Sequence, residues 1–405
     1  MDLSWSDSEQ AFRAEARAWL EENLAAWHDQ HGGEAAIASG DTRAGFAQHL
    51  DWERRLHDGR WAAVSWPAEH GGRDASLWEW LIFEEEYYRA GAPPRVTQNG
   101  IFLLAPTVFE FGTPEQQAHV LPRMAAATDL WCQGWSEPNA GSDLAGIAAR
   151  AVRTEGGWRL DGQKTWTTRG AFCTHLFGLF RTDPESERHR GLSYLLVPLD
   201  TPGVTVRGFG RLDGDEGFAE VFFDDAFLAE DAVPGGVLLG AEGAGWKVAM
   251  ATTGSERGLT LRSPGRFLAT AARLVELYRA GLSDPTASAH AGPTAPGSTP
   301  SARLRERIAE VWMRAEAYRL FTLDTVTRLA GGAVMGADSS INKVWWSELD
   351  CELHEIALEL LGPAAEVEGP WSKGWQFSLS GPIYAGTNEI QRNIAAERVL
   401  GLPRR

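Results

Sequence analysis

The chain changes its hydrophobic period twice, and this order limits its fold more than any other feature of the sequence. Up to about residue 127, apolar residues recur at helical spacing, beginning after a capping box of Ser6 and Glu9. Short apolar runs bounded by Gly, Pro and Asp follow until about residue 235, and helical spacing then returns. We therefore expect a helical domain over 1–127, a β-domain over 128–235 and a second helical domain over 236–405.

The middle region predicts antiparallel strands packed as a small sandwich or barrel. A turn at Gly156-Gly157 joins two of these strands, and three further runs consist mostly of large apolar residues. The three runs are LFGLF at 176–180, LSYLLVPL at 192–199 and EVFFDD at 220–225.

Two long amphipathic helices are predicted in the C-terminal region, which is typical of a helical bundle. The first helix ends at Gly331-Gly332, and the segment 284–300 before it has the composition of a flexible loop. The apolar positions of the second helix are Ile341, Val344, Trp345, Leu349, Ile356 and Leu360.

The charge balance argues against polyanionic partners. The 405 residues carry a formal net charge of −17, with no cluster of Lys and Arg to offset it, so nucleic acid and anionic lipid would be repelled. The N-terminus is polar and acidic, unlike a secretory signal, and no apolar run is long enough for a membrane helix. Three widely spaced cysteines provide no metal motif. We expect a cytoplasmic protein that binds no metal, nucleic acid or membrane.

Common nucleotide-binding motifs do not fit. GAEGAG at 240–245 lacks the spacing of a dinucleotide-binding loop, and the chain has no Walker A lysine. The strongest local signal is WCQGWSEPNAGSDLAG at 131–146, in which Pro138, Asn139 and Gly141 favour a turn with exposed amides and hydroxyls. Such a segment is either a well-capped loop between a helix and a strand or a cradle for a polar ligand.

Three segments in order resemble the signatures of the acyl-CoA dehydrogenase family. They are Glu137-Pro138 followed by Ala140-Gly141-Ser142-Asp143, then GQKTWTT at 162–168, then YAGTNEIQRN at 384–393. The tail AERVLGLP at 396–403 is similar as well, so the resemblance spans nearly the whole chain. It implies an N-terminal helical domain, a middle antiparallel β-domain and a C-terminal four-helix bundle.

The resemblance also implies that FAD binds between the middle and C-terminal domains. Ser136 and the backbone of 133–136 would contact the flavin pyrimidine, Ser142 would lie near the diphosphate, and Thr168 near N5 and O4. Trp166 would pack against the isoalloxazine, although it could also simply fill the core of the β-domain. The full implied set is Gln133, Trp135, Ser136, Gly141, Ser142, Trp166, Thr168, Thr387 and Gln391.

The family's reaction needs a base, because the α-proton of a thioester is only weakly acidic. Many members carry a carboxylate directly after the tyrosine of the C-terminal block, where this chain has Ala385. Another branch places it before an arginine on a C-terminal helix, as in Glu256-Arg257. The resemblance thus implies that Glu256 removes the α-proton, that Arg257 shapes the site, and that the Ala385 N–H donates to the thioester carbonyl while flavin N5 accepts the β-hydride. The alternative is a surface Glu-Arg pair.

The chain departs from the family at the adenosine end of the cofactor. Family members often supply Arg-x-x-Phe-Gly and Gln-x-x-Gly-Gly segments to the FAD of a neighbouring subunit. The first segment is missing near 279–300, and the second reads Glu359-Leu360-Leu361-Gly362-Pro363. The glutamate adds negative charge near a diphosphate, and Pro363 removes an amide donor.

Two kinds of assembly follow from this departure. The chain resembles the bacterial acyl-CoA dehydrogenases of steroid side-chain breakdown, which form heterotetramers, so a related subunit could supply the missing clamp. It could also be a homo-oligomer, dimer or tetramer, with a rerouted FAD site. The substrate would be an acyl-CoA with a bulky or steroid-like chain, and the electrons would pass to an electron-transfer acceptor. A flavin oxidase or monooxygenase of the same fold, and a non-catalytic partner subunit, are the alternatives.

Overall fold

The structure is a computed structural model that describes residues 4–259, 263–283, 302–333, 336–337 and 339–403. For residues 255–259, 263, 282 and 283, inside helices, it describes the backbone and not the side chains. The predicted flexible loop at 284–300 lies outside the described residues. Among the helices within these ranges, none is long and apolar enough to cross a bilayer.

Helices flank a single run of strands along the chain. The helices are α1 Asp7–Gln30, α2 Arg43–Asp58, α3 Leu77–Arg89, α4 Ala105–Phe111, α5 Pro114–Ala125, α6 Gly245–Leu259, α7 Ser263–Ser283, α8 Ala302–Ala330, α9 Ser339–Leu361, α10 Pro370–Ser378 and α11 Asn388–Ile394. The strands are β1 Trp131–Gly134, β2 Arg150–Thr154, β3 Gly157–Thr168, β4 His175–Arg181, β5 Leu192–Pro198, β6 Val204–Phe209 and β7 Phe218–Ala229. This order of elements agrees with the helix, strand and helix pattern expected from the sequence.

The chain divides into two compact units, and each is described by itself. The sheet unit comprises Glu21–Ser76 and Pro93–Gly258, and the bundle unit comprises Met1–Leu20, Leu77–Ala92 and Leu259–Arg405. The predicted capping box begins α1, because the Ser6 amide donates to the Glu9 carboxylate at 2.7 Å and the Glu9 amide donates to the Ser6 hydroxyl at 3.3 Å.

The sheet unit is built on one seven-stranded sheet with the order β1-β4-β2-β3-β7-β6, and β5 pairs with β4. The long β3–β7 ladder and the β4–β5 ladder are antiparallel, as expected from the sequence. However, β1 lies parallel to β4, and β2 meets β4 through one parallel pair. Parallel pairing is possible there because the β2–β3 hairpin lies between β1 and β4 in the chain and provides a long crossover.

The bundle unit has a core formed by α7, α8 and α9, in agreement with the predicted bundle. Phe267, Val311, Tyr318, Leu349 and Leu353 are among its buried residues. A core of this kind stabilises a bundle mainly through the apolar surface that it removes from water.

One helix face differs from the prediction. Ile341, assigned to the apolar face of α9, is 39% exposed, whereas Trp346 is buried. The buried face of α9 also contains the polar residues Lys343 and Asp350. Lys343 donates to Asn388 Oδ1 at 2.9 Å, and Asp350 pairs with Arg266 at 2.6 Å. Four of the other predicted positions fit the core, because Leu349 and Ile356 are buried in it and Trp345 and Leu360 pack against it, so the prediction is wrong at Ile341 and not in the phase of the whole helix.

Candidate active site

The first two sequence motifs meet in the sheet unit. The Thr165 amide donates to the Ser136 carbonyl at 2.9 Å, which joins the segment after β1 to β3. This contact brings Gln133, Trp135 and Ser136 to the same region as Trp166 and Thr168. Five of the residues predicted to bind the cofactor are therefore neighbours in the folded chain.

Trp166 has an unusual backbone for a bulky residue. Its φ is 57°, in the left-handed region, and its side chain is 60% exposed. It lies in a β-bulge, because β3 pairs with β7 at Lys164–Val221 and again at Thr167–Ala219, with two residues opposing one between them. The edges of Phe209 and Phe218 support the indole ring, at centroid distances of 5.3 and 5.6 Å. A strained, exposed and supported aromatic ring is typical of a ligand platform rather than of core filling.

A buried carboxylate closes the loop that follows β1. Glu137 and Ala140 exchange backbone hydrogen bonds of 2.9 and 3.0 Å, which forms a tight turn. The Glu137 carboxylate accepts hydrogen bonds from the amides of Ala148 and Ala149 at 2.6 and 2.9 Å, and from Lys164 Nζ at 2.7 Å. Glu137 thus joins the two ends of the loop to each other and to Lys164 of β3.

The same loop contains Gly141 and Ser142, two of the residues predicted to bind the cofactor, with Ser142 near its diphosphate. Gly141 and Ser142 are exposed, and the next residue, Asp143, forms a two-pronged pair with Arg188 at 2.7 and 2.9 Å. This pair is exposed on both sides, so it orients the loop weakly in salt-containing solvent.

Two buried polar atoms in the segments that carry Ser136 and Trp166 have no protein partner among the described residues. They are the indole nitrogen of Trp135 and the hydroxyl oxygen of Thr167. Buried polar atoms are almost always hydrogen-bonded, so these two are unsatisfied within the described part of the chain. A Cβ added at Gly134 would lie 2.5 Å from Leu176 Cδ1, so the close packing of the Leu176 side chain on β1 favours glycine at this position. The exposed aromatic face of Trp166 fits a flat heteroaromatic ring such as a flavin.

The helix that carries Glu256 is anchored in the same unit. Thr252 of α6 has its hydroxyl oxygen 2.9 Å from that of Thr107 and 3.3 Å from the Tyr194 hydroxyl. The ring of Tyr194 in turn packs edge-on against Trp135, with centroids 6.3 Å apart. Glu256 and Arg257 both lie in α6, one turn after Thr252, and their side chains lie outside the described part of the chain.

The C-terminal motif forms a tight turn in the bundle unit. Ala385 and Gly386 have φ values of 53° and 77°, and Gln391 Nε2 donates to the Ala385 carbonyl at 2.9 Å. The Thr387 hydroxyl caps α11 by accepting from the Ile390 amide at 3.3 Å. The side chains of Thr387 and Gln391 thus hold the Ala385 peptide in shape, and their contact with the cofactor stays a prediction.

Four residues near these motifs were not predicted from the sequence. Glu137 and Lys164 lie inside the first two motifs, and the charge of Lys164 within a strand could have indicated this pair. Tyr194 and Thr252 gave no comparable signal, because a tyrosine in a strand and a threonine in a helix are ordinary residues. Their relationship depends on the fold.

Comparison with known proteins covers the three regions in turn. The N-terminal, middle and C-terminal domain models of acyl-CoA dehydrogenase match residues 6–128, 132–226 and 243–400. Among curated proteins, acyl-CoA dehydrogenase IpdE1 of Mycobacterium tuberculosis is 41% identical over 408 residues, covering 97% of each chain.

Solved structures agree with this assignment. The ChsE4-ChsE5 complex from Mycobacterium tuberculosis is 26% identical, with a TM-score of 0.77 and 100% coverage of both chains. The Tcur3481-Tcur3483 steroid ACAD is 24% identical, with a TM-score of 0.83 and the same full coverage, and supports the fold. Matches of this extent confirm the resemblance seen in the motifs. The chain therefore belongs to the acyl-CoA dehydrogenase family of FAD-dependent oxidoreductases.

Proposed function

We propose that the protein oxidises the α,β-bond of an acyl-CoA thioester whose acyl group is bulky and steroid-derived, with Glu256 as the base. The main observation in support of a flavin site is the strained and exposed Trp166, which follows Thr165 at its hydrogen bond to Ser136. The steroid-type substrate is supported by one structural neighbour that is named a steroid ACAD. Because that neighbour is 24% identical, it shows the fold alone, and the steroid-derived acyl group remains a proposal.

Residues of the sheet unit would hold FAD. Trp166, Thr168 and the segment Gln133–Ser136 would contact the isoalloxazine, and Gly141 with Ser142 would face the diphosphate. When bound, FAD supplies the two-electron acceptor for the β-hydride. The protein residues supply orientation and proton handling.

Proton removal is assigned to one carboxylate. Glu256 would accept the α-proton on a carboxylate oxygen, and the Ala385 N–H would donate to the thioester carbonyl, which lowers the cost of the negative charge that develops there. Arg257 would shape the site next to the base. Support comes from the anchoring of α6 through Thr252, which fixes the helix one turn before Glu256.

Assembly with a related subunit is the second part of the proposal. The neighbour ChsE4-ChsE5 is a complex of two chains, and this chain lacks the family's adenosine clamp. Glu359 is paired with Arg307 at 2.5 Å in the bundle unit. That residue is thus committed within its own chain, which favours a partner that supplies the clamp.

Anaerobic mixing with defined thioesters tests the function. The purified protein, with any subunit that copurifies, is mixed with cyclohexanepropionyl-CoA and butyryl-CoA while flavin absorbance is recorded. We expect loss of the oxidised flavin band with the ring-bearing thioester and a slower loss with butyryl-CoA. The reduced flavin should persist in air until an electron acceptor is added. Unchanged absorbance with both thioesters, or rapid reoxidation by oxygen, would contradict the proposal.

A further inference from the structure

Lys164 is a fully buried cation within the sheet unit. Its side chain has no exposed surface, and its only close carboxylate among the described residues is that of Glu137, which is itself buried. Burying an ion pair costs several kcal/mol of desolvation per ion, which good hydrogen-bond geometry must offset. Such a pair is therefore weak support for stability and requires another explanation.

The Glu137 carboxylate makes more contacts than a simple ion pair would. One carboxylate oxygen accepts from the Ala149 amide and from Lys164 Nζ, and the other accepts from the Ala148 amide. The ammonium group also lies 3.5 Å from the Trp135 carbonyl and 5.0 Å from the centroid of the Phe180 ring. This carboxylate therefore joins both ends of the loop 137–149 to strand β3.

The ion pair between Glu137 and Lys164 lies at the edge of the β-bulge. Lys164 is the last residue of β3 in register with β7 before Thr165 and Trp166 leave the ladder. Because the bulge releases the Thr165 amide from β7, that amide can bond to Ser136 instead. On the same strand, a Cβ added at Gly162 would lie 2.7 Å from the Cα of Ala149, so close approach of the loop to β3 requires glycine there.

We propose that Glu137 and Lys164 are positioning residues that set the flavin-binding surface before the cofactor arrives. They hold the segment Gln133–Ser136 and the Trp166 bulge in one fixed arrangement, so that binding FAD does not require the loop to order. This inference rests on the proposed flavin role of Trp166 and Ser136. Preorganisation raises affinity because the ordering cost is met during folding and not during binding.

The same unit contains a matched control pair. Glu53 is 1% exposed, and its carboxylate accepts from Arg95 Nε at 2.7 Å and from the Val96 and Thr97 amides at 2.8 and 3.3 Å. Its chemistry matches that of Glu137, but it holds the segment 95–97, which has no assigned flavin contact. A role in stability alone predicts the same behaviour for both pairs.

Affinity measurements on the FAD-stripped protein separate the two roles. Lys164→Met, Glu137→Gln and Glu53→Gln are compared for melting temperature and for the FAD dissociation constant. We expect all three to melt lower, with the FAD constant raised about tenfold or more in the first two and within about twofold of the parent in Glu53→Gln. The bound flavin of the first two should also show an altered absorption spectrum. FAD affinity that follows melting temperature equally in all three variants would overturn the proposal.

A measurement on the unmutated protein is decisive if the variants fail to fold. Hydrogen exchange is resolved at the Ala148 and Ala149 amides with and without FAD. We expect both amides to be protected in the FAD-stripped protein and to change little when FAD is added. Rapid exchange that slows only with FAD would refute preorganisation. A parent protein that binds no FAD at all, even when it is prepared with any subunit that copurifies, would instead contradict the proposed function, so the two failures are distinguishable.

Discussion

The hydroxyl of Tyr194 lies 3.3 Å from the hydroxyl of Thr252, and this contact joins β5 to the helix that carries Glu256. Thr252 is fully buried, its hydroxyl donates to the Val248 carbonyl at 3.1 Å, and its hydroxyl oxygen lies 2.9 Å from that of Thr107. Because the single proton of the Thr252 hydroxyl is donated to Val248, Thr252 accepts the hydrogen bond from Tyr194. The middle of α6 is therefore fixed by specific bonds and not by packing alone.

Removing the Thr252 hydroxyl tests this anchor. Thr252→Val keeps the shape and leaves the Tyr194 hydroxyl without that acceptor, so we expect a loss of about 1–3 kcal/mol in the free energy of unfolding. Turnover should also fall, because α6 would be less well positioned. Thr253→Val is the control, since the Thr253 hydroxyl bonds only to the Met250 carbonyl of its own helix among the contacts found. Urea unfolding and steady-state rates check both variants, and equal effects would contradict the anchor.

Replacing Trp166 should separate flavin affinity from stability. Asparagine tolerates the left-handed backbone better than tryptophan, and the indole is 60% exposed, so Trp166→Asn should change the unfolding free energy by less than about 1 kcal/mol. FAD affinity should fall by about tenfold or more, because the aromatic platform is lost. Val152→Asn, at a residue that is 52% exposed on β2, should change neither quantity. A large loss of stability without a loss of affinity in Trp166→Asn would assign the residue to the core.

Affinity for FAD should decrease as pH rises through about 8. Burial lowers the pKa of Lys164 from 10.5 to about 8, although Glu137 opposes this shift. Above that pH the amine becomes neutral and its charge-assisted bond to Glu137 weakens, so the loop loosens. The unfolded chain keeps the lysine proton until about pH 10.5. The contribution of Lys164 to the free energy of unfolding therefore increases as pH rises from about 8 to about 10.5. Affinity and stability should therefore change in opposite directions.

Titration of FAD into the stripped protein at several values from about pH 7 to about pH 9.5 measures this effect. Burial also lowers the pKa of Lys343 to about 8, so the same series in Lys164→Met isolates the contribution of Lys164. We expect the slope to disappear in that variant. A flat profile in the parent protein, or an unchanged slope in Lys164→Met, would contradict the assignment.

Flavin content should depend on the partner subunit. Because Glu359 is paired with Arg307 and Pro363 replaces an amide donor, we expect the chain purified alone to hold well under one FAD per chain. Coexpression with a related subunit should raise the ratio of flavin to protein. Absorbance at the flavin band against total protein gives this ratio, and full occupancy of the isolated chain would favour a homo-oligomer.

The sequence predicted the order of helices and strands well, because hydrophobic periodicity does not depend on individual side-chain contacts. The alternation in the middle region and the helical spacing of α8 depend only on which residues face the core, and the structure agrees with both. The prediction for α9 is wrong at Ile341, which is exposed, and the helix also buries polar residues that an apolar pattern does not mark. The local motifs likewise pointed to Ser136 and Trp166, which the fold brings together.

Other parts of the site could not be predicted, because they depend on long-range contacts. Nothing in the sequence near Tyr194 or Thr252 indicates that they meet, since 58 residues separate them. The left-handed backbone of Trp166 depends on the register of β3 against β7, which a sequence pattern does not specify at a bulge. The role of Glu137 became visible only with its three donors in place.

The central claim is that Glu256 removes the α-proton. Glu256→Gln keeps the size of the side chain and removes its basicity, so flavin should remain bound with the parent's stoichiometry. Rapid anaerobic mixing with the thioester that best reduces the parent's flavin measures the chemical step directly. We expect the oxidised flavin band of Glu256→Gln to persist, with a rate of reduction lower by about 10³-fold or more. Reduction at the parent's rate in a flavin-loaded Glu256→Gln protein would show that another group is the base.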